Sequence, residues 1–421
     1  MQRQNTRPAP AFAVRQFRCP RRNREAVQSV IQVVHRCRPS ERARRRTPLS
    51  ASEHRRRFLA SGVAIVTAVV LAGTSSAYAS VRQGSTSLVA ASQRGRSSGL
   101  PYADVYVVPK APNSLAIGPN GNLFIADGGR DQVLERLPNG KFVVVAGNGK
   151  RGFSGDGGPA LNAELNYPGG IAFGPDGDLY IVDEANNRVR RVAPDGAITT
   201  VVGAAGRWEA PVANGTPALP ARLLSPEDVT FGPGGELYIA DTGDKEVLRL
   251  GPADKLVLVA GSPHIRYAGV YNMGKPATEA SPDGPAGIAF DRAGDLFIFG
   301  VNTKALLMVD PHGVIRAIVG QKPETGFFPH SSGGIVTAPD GEVFGLDDTS
   351  LDRITTTGAR TVVDFTTDPL TRNWRAFLPN GIAVLANRSI YVDTDGASGY
   401  TQTPGIVEIV HDGEGRVIWK G

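Results

Sequence analysis

Two adjacent carboxyl groups, Glu227 and Asp228, are the residues of this 421-residue chain whose types and positions best suit chemistry. They precede a short apolar stretch, where most corresponding stretches of the chain are preceded by glycine or alanine. Asn113 and Asn380 stand in the corresponding place before two of those stretches. Carboxylate and amide oxygens are the ligands that a hard cation such as Ca²⁺ prefers. The sequence therefore predicts a metal site from these four side chains if the fold makes them converge. In the alternative, the two carboxylates are solvated or paired with Arg222.

Aromatic residues and a histidine in the long connecting segments form a second candidate site. Aromatic rings on loops can bind a sugar or a peptide. The alternative is that they anchor a loop to its own sheet. The candidate ligand-binding residues are Trp208, His330, Phe327 and Trp374.

Other kinds of active site find little support. No G-x-S-x-G motif of a serine hydrolase occurs in the chain. Gly147–Gly152 matches G-x-G-x-x-G, but Phe153 and a run of small polar residues follow where a nucleotide-binding helix would have to begin. We therefore interpret it as a glycine-rich surface loop.

A 37-residue pattern repeated along the chain must position the candidate residues. Four copies align without insertion, and two weaker copies follow them. A repeat of this kind is one supersecondary unit that cannot bury its apolar face alone, so the copies must pack together. The copies span Ala111–Gly147, Tyr167–Gly203, Ser225–Gly261, Gly284–Gly320, Ser332 to about Phe365, and Leu378–Trp419.

Each well-preserved copy contains four apolar stretches separated by tight-turn pairs. In the second copy these pairs are Asp176-Gly177 and Asp195-Gly196, 19 residues apart, and the other three well-preserved copies keep that spacing. Such pairs tolerate the positive φ that two-residue hairpins require, so each copy predicts four antiparallel strands. In the second copy the predicted strands are Gly170–Gly174, Leu179–Val182, Arg188–Ala193 and Ile198–Val202.

The predicted fold is all-β: a six-bladed β-propeller of four-stranded antiparallel blades. A lone four-stranded sheet leaves apolar faces in water, whereas six sheets packed radially bury them. We expect the extended segment Ala103–Val108 to pair with the final copy and close the ring.

The pattern P-x-G-I-A-x4-G-x-L-Y-I-x-D-x4-R-V, at Pro168–Val189, resembles the NHL repeat. The resemblance covers residues 111–419 and weakens from the fourth copy, where Gly300 replaces the aspartate found at Asp127, Asp183 and Asp241. It implies a six-bladed propeller. NHL proteins include secreted binding proteins, extracellular sensor domains of bacterial kinases, and a lyase that processes amidated peptides and uses a His-ligated axial zinc. Propeller lactonases of the gluconolactonase type use an axial metal comparable to the one predicted above.

The topology sorts the loops onto two faces of the propeller. Hairpin turns within a blade lie on one side and are short. Connections between second and third strands lie on the other side, together with long inter-blade links such as Asn148–Asn166 and Ser262–Asp283. We call this side the long-loop face and expect function there, because variable loops on a rigid scaffold usually carry it. The aspartate that recurs at the end of the second strand is expected to accept backbone N–H bonds and fix its loop.

The N-terminal region predicts export. Arg55–Leu59 supplies a basic stretch, Val63–Ala72 a short apolar run, and an A-x-A ending predicts cleavage after Ala79. The R-R-x-F-L arrangement resembles a twin-arginine signal; ordinary secretion and an uncleaved anchor remain as alternatives. We expect a secreted or extracytoplasmic protein of the cell envelope, with membrane contact only through an uncleaved signal segment. The predicted organisation is an Arg/Pro-rich disordered leader at 1–54, a signal peptide at 55–79, a flexible linker at 80–100 and the propeller at 101–421.

Charge and cysteine content narrow the partners. Residues 1–79 contain 16 Arg and 3 Glu, so 30 of the 46 basic and 37 of the 40 acidic residues follow Ala79, a net charge of −7. An acidic body argues against nucleic acid as a partner. Cys19 and Cys37 both lie in the leader, so the body can form neither a disulfide nor a thiolate metal site.

Three functions are compatible with these features. The first is a secreted, monomeric, non-enzymatic propeller that binds a protein, peptide or glycan on its long-loop face and requires no cofactor. The second is a metal-dependent hydrolase or lyase, gluconolactonase-like or peptide-amidating-lyase-like, with Ca²⁺ or another divalent cation near Glu227 and Asp228. A purely structural surface protein is the third.

Overall fold

The computed structural model describes most of the repeat region, and the structural statements below concern that part of the chain. The leader, signal segment and most of the linker lie outside it. Within the described segments, no helix is both long and apolar enough to cross a membrane. The described residues are 100–103, 106–204, 212–262, 272–282, 284–302, 305–319, 334–346, 350–364, 377–386, 389–396, 405–409 and 415–420.

The described strands form six antiparallel sheets, one for each repeat copy, in which consecutive strands are hydrogen-bonded neighbours. In copies one to three the strands are β1 Tyr106–Val107, β2 Pro112–Ile117, β3 Leu123–Asp127, β4 Gln132–Arg136, β5 Phe142–Ala146, β6 Pro168–Phe173, β7 Leu179–Asp183, β8 Arg188–Val192, β9 Ile198–Val202, β10 Pro226–Phe231, β11 Leu237–Asp241, β12 Glu246–Gly251 and β13 Lys255–Ala260. In copies four to six they are β14 Pro285–Phe290, β15 Leu296–Gly300, β16 Ala305–Val309, β17 Ile315–Val319, β18 Ile335–Thr337, β19 Val343–Leu346, β20 Ser350–Thr355, β21 Gly358–Asp364, β22 Phe377–Val384, β23 Ile390–Gly396, β24 Gly405–Ile409 and β25 Gly415–Lys420.

The strands of the second copy lie within two residues of their predicted positions, because glycine turns set both hairpins. Gly177 and Gly196 adopt φ of 85° and 86°, the left-handed conformation that the turn pairs predicted. Five of the six sheets have the predicted four strands, and the sheet of the first copy has five. Short 3₁₀ turns occur at Ala160–Asn162, Glu184–Asn186, Pro252–Asp254 and Ala277–Glu279.

The additional strand, β1, corrects the prediction for Ala103–Val108. It pairs antiparallel with β5 of the first copy, Tyr106 opposite Val143, and not with the final copy. The Ala103 N–H donates to the Val144 carbonyl in the same direction. The first and last sheets each have four strands of their own and an outer edge strand, β5 and β25, and β1 adds to the edge at β5.

Packing between neighbouring sheets closes the ring. Each innermost strand contacts the innermost strand of the next sheet, in the order β2, β6, β10, β14, β18, β22 and back to β2. Within the described residues, an apolar cluster lies between each sheet and the next. The cluster that joins the last sheet to the first packs Tyr391 and Ile406 against Ile125 and Leu134. The fold is therefore a β-propeller whose core sits between sheets rather than at one centre.

The recurring aspartate at the end of the second strand fixes the start of its own blade, as predicted. Asp127 accepts the backbone N–H groups of Lys110 and Ala111, at 2.8 and 3.0 Å. Asp183 accepts the N–H of Asn166 at 2.7 Å. These bonds hold each second-to-third-strand connection beside the end of the inter-blade link, which places both on the long-loop face.

Candidate functional site

A bulge in the innermost strand is the local feature that positions three of the four predicted metal ligands. In β10 the register passes from Pro226 to Asp228, which leaves Glu227 without a partner on β11. The corresponding bulge of β2 contains Asn113, and that of β22 contains Asn380. A bulge of this kind re-aims a side chain and bends its strand. The three residues therefore occupy equivalent backbone positions in three sheets; the side chain of Asn380 lies outside the described part.

Asp228 is buried and joins two sheets. Its Oδ1 accepts its neighbour's N–H, from Val229, at 2.9 Å, and its Oδ2 accepts the N–H of Ile288 on β14 at 2.9 Å. Burial raises the pKa of Asp228 to about 7, while the two backbone donors oppose that rise. On the other side, a Cβ added to Gly170 of β6 would lie 2.5 Å from Asp228 Oδ1. Asp228 is thus neither solvated nor paired with Arg222.

Asn113 also joins two neighbouring sheets, but a different pair from Asp228. Its buried Nδ2 donates to the Pro168 carbonyl of β6 at 3.0 Å, so it joins the first sheet to the second. Ser114 adds a longer bond at the same seam, accepting the N–H of Ile171 at 3.4 Å. Asn113 thus lies between the first and second sheets, whereas Asp228 lies between the third and fourth.

Glu227 has a neighbour that the sequence reasoning missed, Glu184. Burial raises the pKa of Glu227 to about 8, and the charges of Glu184 and Asp228 raise it further. Burial also raises the pKa of Glu184 to about 7. Glu184 lies in the 3₁₀ turn after β7, and its position on the long-loop face of the adjacent blade was the available signal. Carboxyl groups with a pKa near neutrality can exchange protons or bind a cation that keeps them ionised.

An axial cavity of about 370 Å³ lies among the innermost strands. Among the described residues that line it, most are apolar and Asp228 is the one carboxylate. Among the described residues, no group of three or more His, Cys, Asp or Glu side chains is arranged to hold a metal ion. The predicted axial set contains only two residues of those types, so the axial metal stays a prediction. The wall includes at least one residue from each innermost strand: Ser114, Ile171, Asp228, Ile288, Ile335 and Ile382.

A buried arginine organises the first long link on the long-loop face. Arg190 is fully buried, and its Nη2 donates to Asp156 Oδ1 at 2.8 Å and to the Ser154 carbonyl at 3.1 Å. Its Nη1 donates to Asp183 Oδ2 at 3.2 Å and, more weakly, to the Glu164 carbonyl at 3.5 Å. One guanidinium thus connects β8 to both ends of the link and to the recurring aspartate of its blade.

Exposed apolar side chains lie in or beside the links. Phe153, at 40% exposure, is covered on one side by Arg188, whose guanidinium carbon is 3.8 Å from the ring centre. Tyr167, at 42%, has its backbone N–H held by Asp131 Oδ1 at 2.9 Å. In the next link, Leu219 is 56% exposed. Neither Phe153 nor Tyr167 was among the predicted ligand-binding residues.

The predicted aromatic ligand-binding site lies outside the described part of the chain. Trp208, His330, Phe327 and Trp374 all lie outside the described residues, so their role in ligand binding stays a prediction. Of the histidines that follow the leader, His312 is described: it is exposed in the hairpin turn between β16 and β17, with its N–H bonded to Asp310 Oδ1 at 3.0 Å.

Sequence comparison finds similarity to the teneurins. The family model of the teneurin NHL domain matches residues 136–214. Teneurin-m of Drosophila melanogaster is 29% identical over 204 residues, which are 44% of this chain and 7% of that protein. Teneurin-3 of Mus musculus is 30% identical over 229 residues, 49% of this chain and 8% of that protein. The chain thus matches less than a tenth of the length of these relatives.

Comparison with solved structures finds matches of low sequence identity. The crystal structure of virginiamycin B lyase from Staphylococcus aureus is 15% identical, with a TM-score of 0.46, over 75% of this chain and 87% of that one. That degree of likeness has no bearing on the activity of this chain.

Proposed function

This chain belongs to the NHL-repeat β-propeller family, and we propose that it is a binding module for a protein, peptide or glycan, with the long-loop face as its binding surface. We count the five-stranded sheet of the first copy as a blade, which gives six blades together with the five four-stranded sheets. The observation that carries it is the exposure of Phe153, Tyr167 and Leu219 on inter-blade links. Aromatic rings beside arginines are typical of the residues that dominate binding energy at interfaces.

The rigidity of the first link supports this proposal. Backbone bridges join Arg151 to Leu165, Ser154 to Glu164, and Pro159 to Ala197 of the next blade. Arg190 holds the same link from below through the bonds described above. A surface that is already ordered loses little conformational entropy on binding, so its contacts translate more fully into affinity.

The chemistry of the surface indicates the kind of ligand. Tyr167 and Phe153 offer exposed ring surface, while the 63%-exposed side chain of Arg151 in the same link offers a cation. Such a surface can stack on a sugar ring or hold a peptide with apolar and acidic side chains. We also propose that the protein meets this ligand outside the cytoplasm, because its leader has the features of an export signal.

The test is to screen the purified exported protein on a glycan array and on an array of extended peptides. The best probe is then titrated against wild type, a Phe153→Ala/Tyr167→Ala variant, and a Tyr106→Ala control. Tyr106 is 57% exposed but lies on the outer edge of the first sheet. We expect at least about a tenfold loss of affinity for the double variant, on the scale of one interface hot spot, and none for the control. No retained probe on either array, or equal losses in both variants, would refute the proposal.

A metal-dependent hydrolase or lyase is the second candidate, favoured by the Glu184–Glu227 pair. Because both oxygens of Asp228 accept backbone N–H groups, Glu227 and Glu184 would be the carboxylates available to a cation. Elemental analysis of the purified protein, followed by CaCl₂ titration of wild type and Glu227→Gln, tests it. Absence of both bound metal and cation binding, or cation binding unchanged by Glu227→Gln, would rule out this candidate.

A further inference from the structure

The connection between β11 and β12 brings carboxylates together away from the axis. Asp241 ends β11 and Glu246 begins β12, and the two are direct cross-strand partners. Partners of this kind have Cβ atoms about 5 Å apart on the same side of the sheet. Both side chains are 0% exposed. Asp244 of the same turn lies close enough to affect both electrostatically.

Three oxygens of this buried pair have no donor in the part of the chain that the structure describes. Asp241 Oδ1 accepts the N–H of Leu224 at 2.8 Å, but Asp241 Oδ2 and both oxygens of Glu246 accept no hydrogen bond. The backbone N–H of Val212 lies near Glu246 and opposes the rise of its pKa, but no hydrogen bond of standard geometry reaches either Glu246 oxygen. A buried charge is normally paired or bound to a metal, so orphaned carboxylate oxygens point to a missing cation.

The second copy of the repeat provides an internal comparison. There, Asp183 corresponds to Asp241 and likewise bonds the end of the preceding link through Oδ1. Its Oδ2 is satisfied, because Asn186 Nδ2 donates to it at 2.9 Å and Arg190 Nη1 at 3.2 Å. The recurring aspartate of a complete blade therefore has donors on both oxygens.

In the third copy both donors and the neighbouring Arg188 are replaced. Asp244 stands in place of Asn186, Glu246 in place of Arg188, and Leu248 in place of Arg190. One amide and two guanidinium groups of the second copy are thus exchanged for two carboxyl groups and an apolar side chain. The turn of the third copy therefore lacks the positive charges that accompany the aspartate in the second copy.

We propose that Asp241 and Glu246 bind a divalent cation of the oxygen-preferring class, of which Ca²⁺ is the best match. Ca²⁺ accepts an irregular shell of six to eight oxygens that includes backbone carbonyls and water. It therefore does not require a third ready-made side-chain ligand, which the described residues do not arrange here. The ion neutralises the two facing carboxylates and fastens the third blade to the link that ends at Leu224. The site is separate from Glu227 and independent of the binding function proposed above.

The experiment is a titration of the EDTA-treated, dialysed protein with CaCl₂ and separately with MgCl₂, by calorimetry and by thermal unfolding. We expect one equivalent of Ca²⁺ to bind, and a rise in Tm of about 5 °C when free Ca²⁺ is about 100-fold above Kd. The variant is Glu246→Gln, which keeps the shape of the side chain. The control is Glu236→Gln, a partly exposed carboxylate of the same sheet that pairs with Arg249.

Loss of the bound equivalent and of the Tm shift in Glu246→Gln, with both retained in Glu236→Gln, supports the proposal. Wild type that binds neither cation overturns it and indicates that the pair is neutralised by a proton or by another part of the chain. Binding that survives Glu246→Gln but disappears in Glu227→Gln also overturns it, and instead supports the axial cation of the second candidate function.

Discussion

Replacing Arg190 with leucine should destabilise the fold far more than the same change one residue later. Leucine is a natural choice, because Leu248 occupies the corresponding position in the third copy. Arg190 is fully buried and bonds both Asp156 and Asp183. Its neighbour Arg191 is 39% exposed and pairs with Asp178 across 3.4 Å.

The size of the effect follows from what each change leaves behind. Arg190→Leu removes the guanidinium that donates to Asp183 Oδ2, a buried oxygen whose remaining donor among the described residues is the Asn186 amide. Breaking a buried ion pair costs about 3–5 kcal/mol, because an uncompensated charge stays in the interior. The Arg191–Asp178 pair lies at the surface on the arginine side, with side-chain exposures of 39% and 8%, so solvent screening limits its contribution to about 1 kcal/mol. We therefore expect Arg190→Leu to lower the free energy of unfolding by about 4 kcal/mol, and Arg191→Leu by about 1 kcal/mol.

Urea unfolding followed by tryptophan fluorescence and circular dichroism gives both values from the shift of the midpoint at constant m. Limited proteolysis gives a second readout, since a link that has lost its anchor should be cut earlier within 148–166. Equal losses of stability in the two variants would refute the reasoning, because the buried guanidinium would then have no special role. If Arg190→Leu is destabilised but its cleavage pattern is unchanged, the stabilising role of the buried ion pair stands and the anchoring of the link is refuted.

Three further predictions concern the innermost strands. Burial raises the pKa of Glu227 from an ordinary value of 4.5 to about 8, so between these pH values the folded protein holds a proton that the unfolded chain releases. The free energy of unfolding should therefore fall as pH rises from 4.5 to about 8. When unfolding is compared at pH 5 and pH 9, Glu227→Gln should remove roughly 2–4 kcal/mol of that fall. Asp228→Ala leaves two buried backbone N–H groups without acceptors and should cost about 2–4 kcal/mol in urea unfolding, whereas Asp195→Ala in an exposed hairpin turn should cost less than about 1 kcal/mol. Gly170→Ala should cost about 2 kcal/mol or more, because the new Cβ would lie 2.6 Å from Asp228 Cα, which cannot rotate away; a melting temperature equal to that of wild type would contradict this close approach.

Most of the fold could be predicted from the sequence, because hairpin turns are local. Asp176-Gly177 and Asp195-Gly196 set the second sheet without reference to distant residues, and the recurring Asp183 fixes its loop as expected. The position of β1 could not be predicted, since the free edges of the first and last sheets present the same backbone groups to a short extended segment. The prediction chose the wrong edge.

The candidate site was predicted less completely, because its contacts cross from one copy to another. The sequence shows that Glu227 and Asp228 depart from the repeat pattern, but it does not show which neighbouring sheet each side chain contacts. Glu184 was missed because its turn belongs to the preceding blade. Arg190 looks like an ordinary strand residue until Asp156 and Asp183 converge on it.

Each four-stranded sheet is built from one continuous stretch of chain, and among the described strands none is shared between the first and last copies. A link can therefore change in length or sequence without breaking a single hydrogen bond within a sheet. For a link that is not anchored as the first one is by Arg190, doubling its length costs only about 0.6 kcal/mol in closure entropy. Natural selection can thus rebuild the long-loop face one link at a time, and homologues that share this ring are free to diverge in what they recognise.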